Sequence, residues 1–323
     1  MKKATVITLI VSLCMVFAGL ILCGGVVMMN GLDFNFGNTA DYREKVSTFD
    51  EAFADVEVRG MSADVQVFVT TADECVVECT ETDDAYYDVK VENNTLIVKY
   101  VDNRKWFDHI GFNFSLLSEN VKVYLPENVY ENVKIRSTSG NVTVNHGLAC
   151  ESLEAVSTSG SVRVYGASAE GTITVNSTSG QSVADAVKAQ SLTVTSTSGR
   201  VNVSNIDEVE NVSVNATSGR IEATDIRCVN FSAEGVSGTV LCSGVIAEET
   251  LNAESTSGGV QVLRCDAEIL NLKSTSGSIR GTLLSGKVFN ADSVSGSVKV
   301  PASTQGGICN AKTTSGSIDI KIQ

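Results

Sequence analysis

Two prolines, two histidines and one tryptophan are all that this 323-residue chain holds of those residues, and aromatic side chains make up only 6% of it. So little proline rules out a Pro-rich spacer or a collagen-like chain. With His109 and His146 alone, and no CxxC, the sequence offers no zinc ligand set. It contains no calcium-binding nonapeptide repeat, phosphate loop or dinucleotide fingerprint, so no cofactor is expected. Basic residues are also short, 24 against 38 acidic ones, for a formal charge of −14. Nucleic-acid binding needs a basic stripe and is therefore not expected. The acidity is uneven: residues 31–130 hold 20 acidic and 8 basic residues. Sparse aromatics leave Val, Ile, Leu and Ala to fill the core.

What the chain has in quantity is a Ser-Gly pair. It occurs at Ser139-Gly140, Ser159-Gly160, Ser179-Gly180, Ser198-Gly199 and Ser218-Gly219, and again at Ser237-Gly238, Ser257-Gly258, Ser276-Gly277, Ser295-Gly296 and Ser315-Gly316. The spacing is 19 or 20 residues throughout. A fixed period of this size marks a solenoid, whose units bury their apolar sides only by stacking. Two residues after the glycine stand Val142, Val162, Val201, Ile221, Val240, Val260, Ile279, Val298 and Ile318. The third repeat has Ser182 there, with Val183 one residue late. Seven and five residues before the glycine runs a second apolar pair, from Val133/Ile135 through Leu192/Val194 to Phe289/Ala291 and Cys309/Ala311. Alternation at period two over short runs is the strand signal. A third apolar touch follows seven residues past many of the glycines, at Val187, Ile206, Ile226, Val245, Cys265 and Leu284.

These observations predict an all-β chain, a parallel β-solenoid of about ten coils with two or three short strands each. At roughly 4.8 Å per stacked strand it would form a rod about 45 to 50 Å long. The Ser-Gly pairs read as structural corners, the glycine supplying φ > 0 and the serine bonding local backbone or its counterpart one coil away. Ten equivalent serines with no general base beside them form a column and not a nucleophile, so no catalytic residue is expected.

Four segments follow: 1–30, a cytoplasmic stub and transmembrane anchor; 31–50, a polar tether; 51–130, a degenerate coil and β cap; and 131–323, the regular repeats. Lys2 and Lys3 precede an uncharged, mostly apolar run over residues 4–29, long enough to span a membrane as a helix. The positive-inside rule leaves the amino terminus in the cytoplasm and the rest outside, as in a single-pass cell-membrane protein. A cleaved signal peptide is the alternative; Leu22 before Cys23 fits a lipoprotein site poorly. Outside the anchor stand seven cysteines, Cys75, Cys79, Cys150, Cys228, Cys242, Cys265 and Cys309. An odd number cannot all pair within one chain, and buried free thiols are expected.

In the cap, Val56–Val67 mirrors Val133–Val144, with Ala63 in the glycine's place, and reads as an end coil. Strands are expected at Cys75–Cys79, Tyr87–Val91, Thr95–Val101 and Asn120–Leu125, with a hairpin turn at Asn93-Asn94. The one aromatic-rich segment holds Trp106, Phe107, Phe112 and Phe114; packing, partner binding and membrane contact all remain open for it. The chain stops at Gln323 with no visible cap, so self-association through an uncovered carboxy-terminal coil is expected.

With the apolar amino-terminal run, the Ala63 coil, the Val121-Lys122-Val123-Tyr124-Leu125-Pro126 strand and the Ser-Thr-Ser-Gly coils in view, the chain resembles the bacterial putative-adhesin family of membrane-anchored β-solenoid proteins, over roughly residues 50–323. The resemblance implies a non-enzymatic surface protein holding a repetitive face towards a protein or glycan partner at the cell envelope. Genes for some relatives lie beside envelope-stress signalling genes, which implies a second reading, an accessory to stress sensing. A polysaccharide-cleaving enzyme is the third; it needs convergent carboxylates, and the densest acidic group is Asp83, Asp84 and Asp88.

Overall fold

A computed structural model describes residues 42–103 and 119–323, besides the isolated positions Met15, Val16 and Gly19. The expected membrane anchor and Trp106, Phe107, Phe112 and Phe114 lie outside the described residues, apart from Met15, Val16 and Gly19 within the anchor. Among the described residues, no helix is long and apolar enough to cross a membrane.

Among the described residues, twenty-four strands, mostly paired in parallel, stack coil upon coil. One sheet carries the strands that enter each corner, such as Val129–Ser137, Ala149–Ser157 and Ser168–Ser177. A second carries the strands that leave it, such as Val142–Val144 and Val162–Tyr165. Between Val201 and Ser255 the leaving strand of one coil runs into the entering strand of the next, giving the long strands Val201–Ala216, Ile221–Gly235 and Val240–Ser255. Adjacent coils pair residue for residue, with Leu153 on Ile173, Ile173 on Leu192 and Leu192 on Val212. Period-two alternation puts all these side chains inside, and each is at most 2% exposed.

Three details of the inward columns differ from the sequence reading. Ser182 does not slip the register: it sits in the column between Val162 and Val201, fully buried, and donates to the Thr195 carbonyl at 2.7 Å. That bond offsets the desolvation of its hydroxyl. The third touch in the eighth coil is Leu283, which pairs with Cys265, while Leu284 points out. Val298 is 40% exposed because its coil ends the stack.

The corner works differently from expectation. Positive φ occurs at Gly147, Gly166, Gly244 and Gly306, but at none of the ten repeat glycines. Those glycines are required by close approach: a Cβ on Gly160 would overlap the carbonyl of Gly140, and one on Gly199 the carbonyl of Gly180. The serine immediately before each glycine is exposed. The working hydroxyl is three residues before it. Ser157, fully buried, accepts from the Gly160 N–H at 2.9 Å and donates to the Gly140 carbonyl at 2.8 Å. Ser177 does the same between Gly180 and Gly160, and Ser196 between Gly199 and Gly180.

Both ends of the stack reorder the chain. At the amino-terminal end the Ala63 coil matches its predicted register, Val56 on Val133 and Val65 on Val142. It is not the end coil, because Thr95–Asp102 and Asn120–Pro126 pair on its other side. Beyond these lie antiparallel strands, Ala85–Glu92 on one and Cys75–Glu81 on the other. The hairpin at Asn93 and Asn94 turns through φ of 50° and 63°. Part of the expected tether is a strand, Arg43–Phe49, antiparallel to Cys75–Glu81.

At the other end the last coil in sequence is the second last in space. Gly307–Thr313 inserts between Ile269–Ser274 and Lys287–Ser293. Ile318–Ile322 pairs with Ile279–Leu283 on one side and with Val298–Lys299 on the other. Among the described residues, the carboxy-terminal strand is therefore not the uncovered edge; the coil of Lys287–Lys299 is. Lys287 spans the inserted strand. Its buried ammonium passes Gly307 to reach the Ala267 carbonyl at 2.6 Å and Asp266 at 2.7 Å on the far side.

The seven cysteines are free and buried, as expected. Burial pushes the thiols of Cys75, Cys79, Cys150, Cys228 and Cys309 up to about 12 and Cys265 to about 11, and raises Cys242 as well. A folded-state pKa above the unfolded value means stability is held at low pH and lost as pH rises from about 9 towards 12. Thermal melts at pH 8, 9.5 and 10.5 should show a steadily falling midpoint, and a thiol reagent at pH 8 should label these seven positions only after unfolding. Ser157→Ala strands the buried Gly160 N–H and Gly140 carbonyl and should cost about 2 kcal/mol. Gly199→Ala should cost about 3 kcal/mol. Denaturant titration checks both.

Candidate functional site

The outward face of the entering sheet presents files of small polar side chains in coil register. Thr174, Thr193, Ser213, Ser232, Asn252 and Asn271 form one file. Within it the amides bond one another along the stack: Asn271 donates to Asn252 at 2.8 Å, Asn310 to Asn271 at 2.8 Å, and Asn290 to Asn310 at 3.0 Å. This asparagine ladder was not singled out by sequence reasoning, although the 19- or 20-residue recurrence of Asn252, Asn271, Asn290 and Asn310 was its signal. The neighbouring file runs Asn176, Thr195, Asn215, Glu234, Glu254 and Lys273.

Between that second file and the corner lies a groove of about 370 Å³. Its far wall is the exposed corner position after the working hydroxyl, at Thr197, Thr217, Val236, Thr256 and Thr275. Its floor includes Ser196, Ala216, Gly235 and Ser255. Ala216 and Gly235 occupy the place where most other coils carry the clamp serine, so the hydroxyl clamp is missing in two consecutive coils. At Gly235 the side chain is missing altogether.

The chemistry available in the groove is hydrogen bonding. Asn and Thr both donate and accept. The charges balance in part, since Lys273 and Glu254 pair at 3.1 Å, leaving Glu234 as the other charged group of the lining. Among the described residues no group of three or more His, Cys, Asp or Glu could hold a metal.

Of the residues expected to matter, the ten corner serines from Ser139 to Ser315 line up along one exposed edge, each bonded to a neighbouring coil through its backbone N–H, as in Ser159 to Thr138 and Ser179 to Thr158. In the acidic group, exposed Asp83 pairs with Arg43 at 3.3 Å and Asp88 lies 3.8 Å from Lys90.

Similar solved structures are a putative adhesin from Bacteroides fragilis, 12% identical over 89% of this chain and 100% of that one, with a TM-score of 0.42; a putative lipid-binding protein from Parabacteroides distasonis, 16% identical over 87% and 97%, with a TM-score of 0.46; and a putative adhesin from Parabacteroides merdae, 12% identical over 88% and 97%, with a TM-score of 0.39. No curated protein matches the chain. The Toastrack DUF4097 family model matches residues 53–262 and 207–323, which together take in the Ala63 coil and every Ser-Gly coil, and the chain belongs to that family.

Proposed function

We propose that this protein is a non-enzymatic binding scaffold, held on the outer face of the cell membrane by residues 4–29. The observation that carries this reading is the outward face of the entering sheet, where polar side chains repeat coil after coil above a backbone whose hydrogen bonds are committed to the stack. A surface of this kind makes many shallow polar contacts, each weak, whose sum depends on simultaneous engagement. The net charge of −14 directs it away from polyanionic partners.

Two measurements test the reading. Removal of residues 1–29 should move the protein from the membrane fraction of its host cells to the soluble one. Cells displaying the full chain should adhere to surfaces coated with purified envelope material at least several-fold better than cells lacking it. Equal adhesion of the two kinds of cell would refute the scaffold.

A further inference from the structure

The groove along the entering sheet is specific enough to name a ligand class, an inference that rests on the scaffold reading above. We propose that it takes a neutral polysaccharide chain lying parallel to the stack.

The geometry comes first. The lining file crosses six successive coils, from Asn176 to Lys273. Each coil advances the groove by about 4.8 Å, so its length is roughly 24 Å. One sugar unit of an extended chain covers a similar distance, so successive units meet equivalent side chains on successive coils.

Chemistry narrows the occupant. The backbone N–H and C=O groups of these central strands are taken up by parallel pairing on both sides, as between Thr195 and its neighbours Asn176 and Asn215. A peptide strand therefore has no free edge to join here, and recognition falls to side chains. Asn215, Thr195, Thr197 and Thr217 each offer donor and acceptor together, which suits hydroxyl groups that also do both. Val236 stands, 49% exposed, where the adjoining coils have Thr217 and Thr256, and gives an apolar patch for the C–H face of a sugar ring. Charge excludes the acidic polymers. Lys273 is engaged by Glu254, and Glu234 adds a negative charge, so a phosphate- or carboxylate-bearing chain would meet repulsion.

The interruption of the corner motif is an independent observation. The clamp hydroxyl is kept at Ser157, Ser177 and Ser196 before the groove's centre, and at Ser255 and Ser274 after it. It is absent at Ala216 and Gly235, both in the groove floor. The clamp is given up at the groove's centre, between Ser196 and Ser255, which keep it within the same floor.

The test uses the full chain in mild detergent, co-sedimented with insoluble cellulose, curdlan and chitin, and in parallel arms with lipoteichoic acid and with anionic phospholipid vesicles. Binding to at least one neutral glycan is expected. The double variant Asn215→Ile/Thr217→Ile should weaken it at least tenfold, while Gln261→Ile, on the outward face of the other sheet, should leave it unchanged; equal melting midpoints show that the variants fold. Binding to the acidic polymer or vesicles alone would overturn the ligand class and spare the scaffold. Glycan binding that survives the double variant would overturn the groove as its site. No binding in any arm, together with equal cell adhesion in the preceding experiment, would overturn both.

Discussion

One hydrogen-bond relay holds the corners of this protein together. A buried hydroxyl accepts from the glycine N–H of its own coil and, as at Ser157, donates to the glycine carbonyl of the preceding coil. The relay runs from Ser137 to Ser196, resumes at Ser255 and Ser274, and continues through Thr313 to Ser293. It satisfies backbone groups that would otherwise be buried unpaired. The glycines approach one another closely along the whole column, including Gly219 and Gly238 in the coils of Ala216 and Gly235, so any side chain there would overlap the backbone of the neighbouring coil.

That constraint explains the rest of the cross-section. With the corner pinned, each coil presents the same two strands in the same register, so Val, Ile, Leu and Ala can fill a thin interior by stacking like on like. The outward side chains inherit this register without having to pack. They are therefore left to form files, and the asparagine ladder from Asn252 to Asn290 is what results when an amide recurs in one file. The groove runs beside the corner across coils with the relay, at Ser196 and Ser255, and without it, at Ala216 and Gly235.

The ends follow a different logic. Repeats so alike could stack in several orders, and the chain takes one that departs from sequence order at both ends. At the carboxy-terminal end Lys287 reaches across the inserted strand. Its buried ammonium pairs with Asp266 and the Ala267 carbonyl on the far side of the Gly307–Thr313 strand. Gly307 has no side chain to block the crossing.

The sequence by itself determined the coil, its period and its inward columns, because a two-residue alternation set against a 19- or 20-residue recurrence admits few other folds. Val133/Ile135, Val142 and the Ala63 coil stand where that pattern put them. Tertiary structure alone decided which serine works. In Ser157-Thr158-Ser159-Gly160 both serines look equivalent, and only the path of the corner turns the first inward and the second to solvent. It alone decided the order of the end coils, since near-identical repeats carry no local label of their neighbour, and it alone assembled the groove, whose walls come from residues 19 or 20 positions apart that meet only when the coils stack.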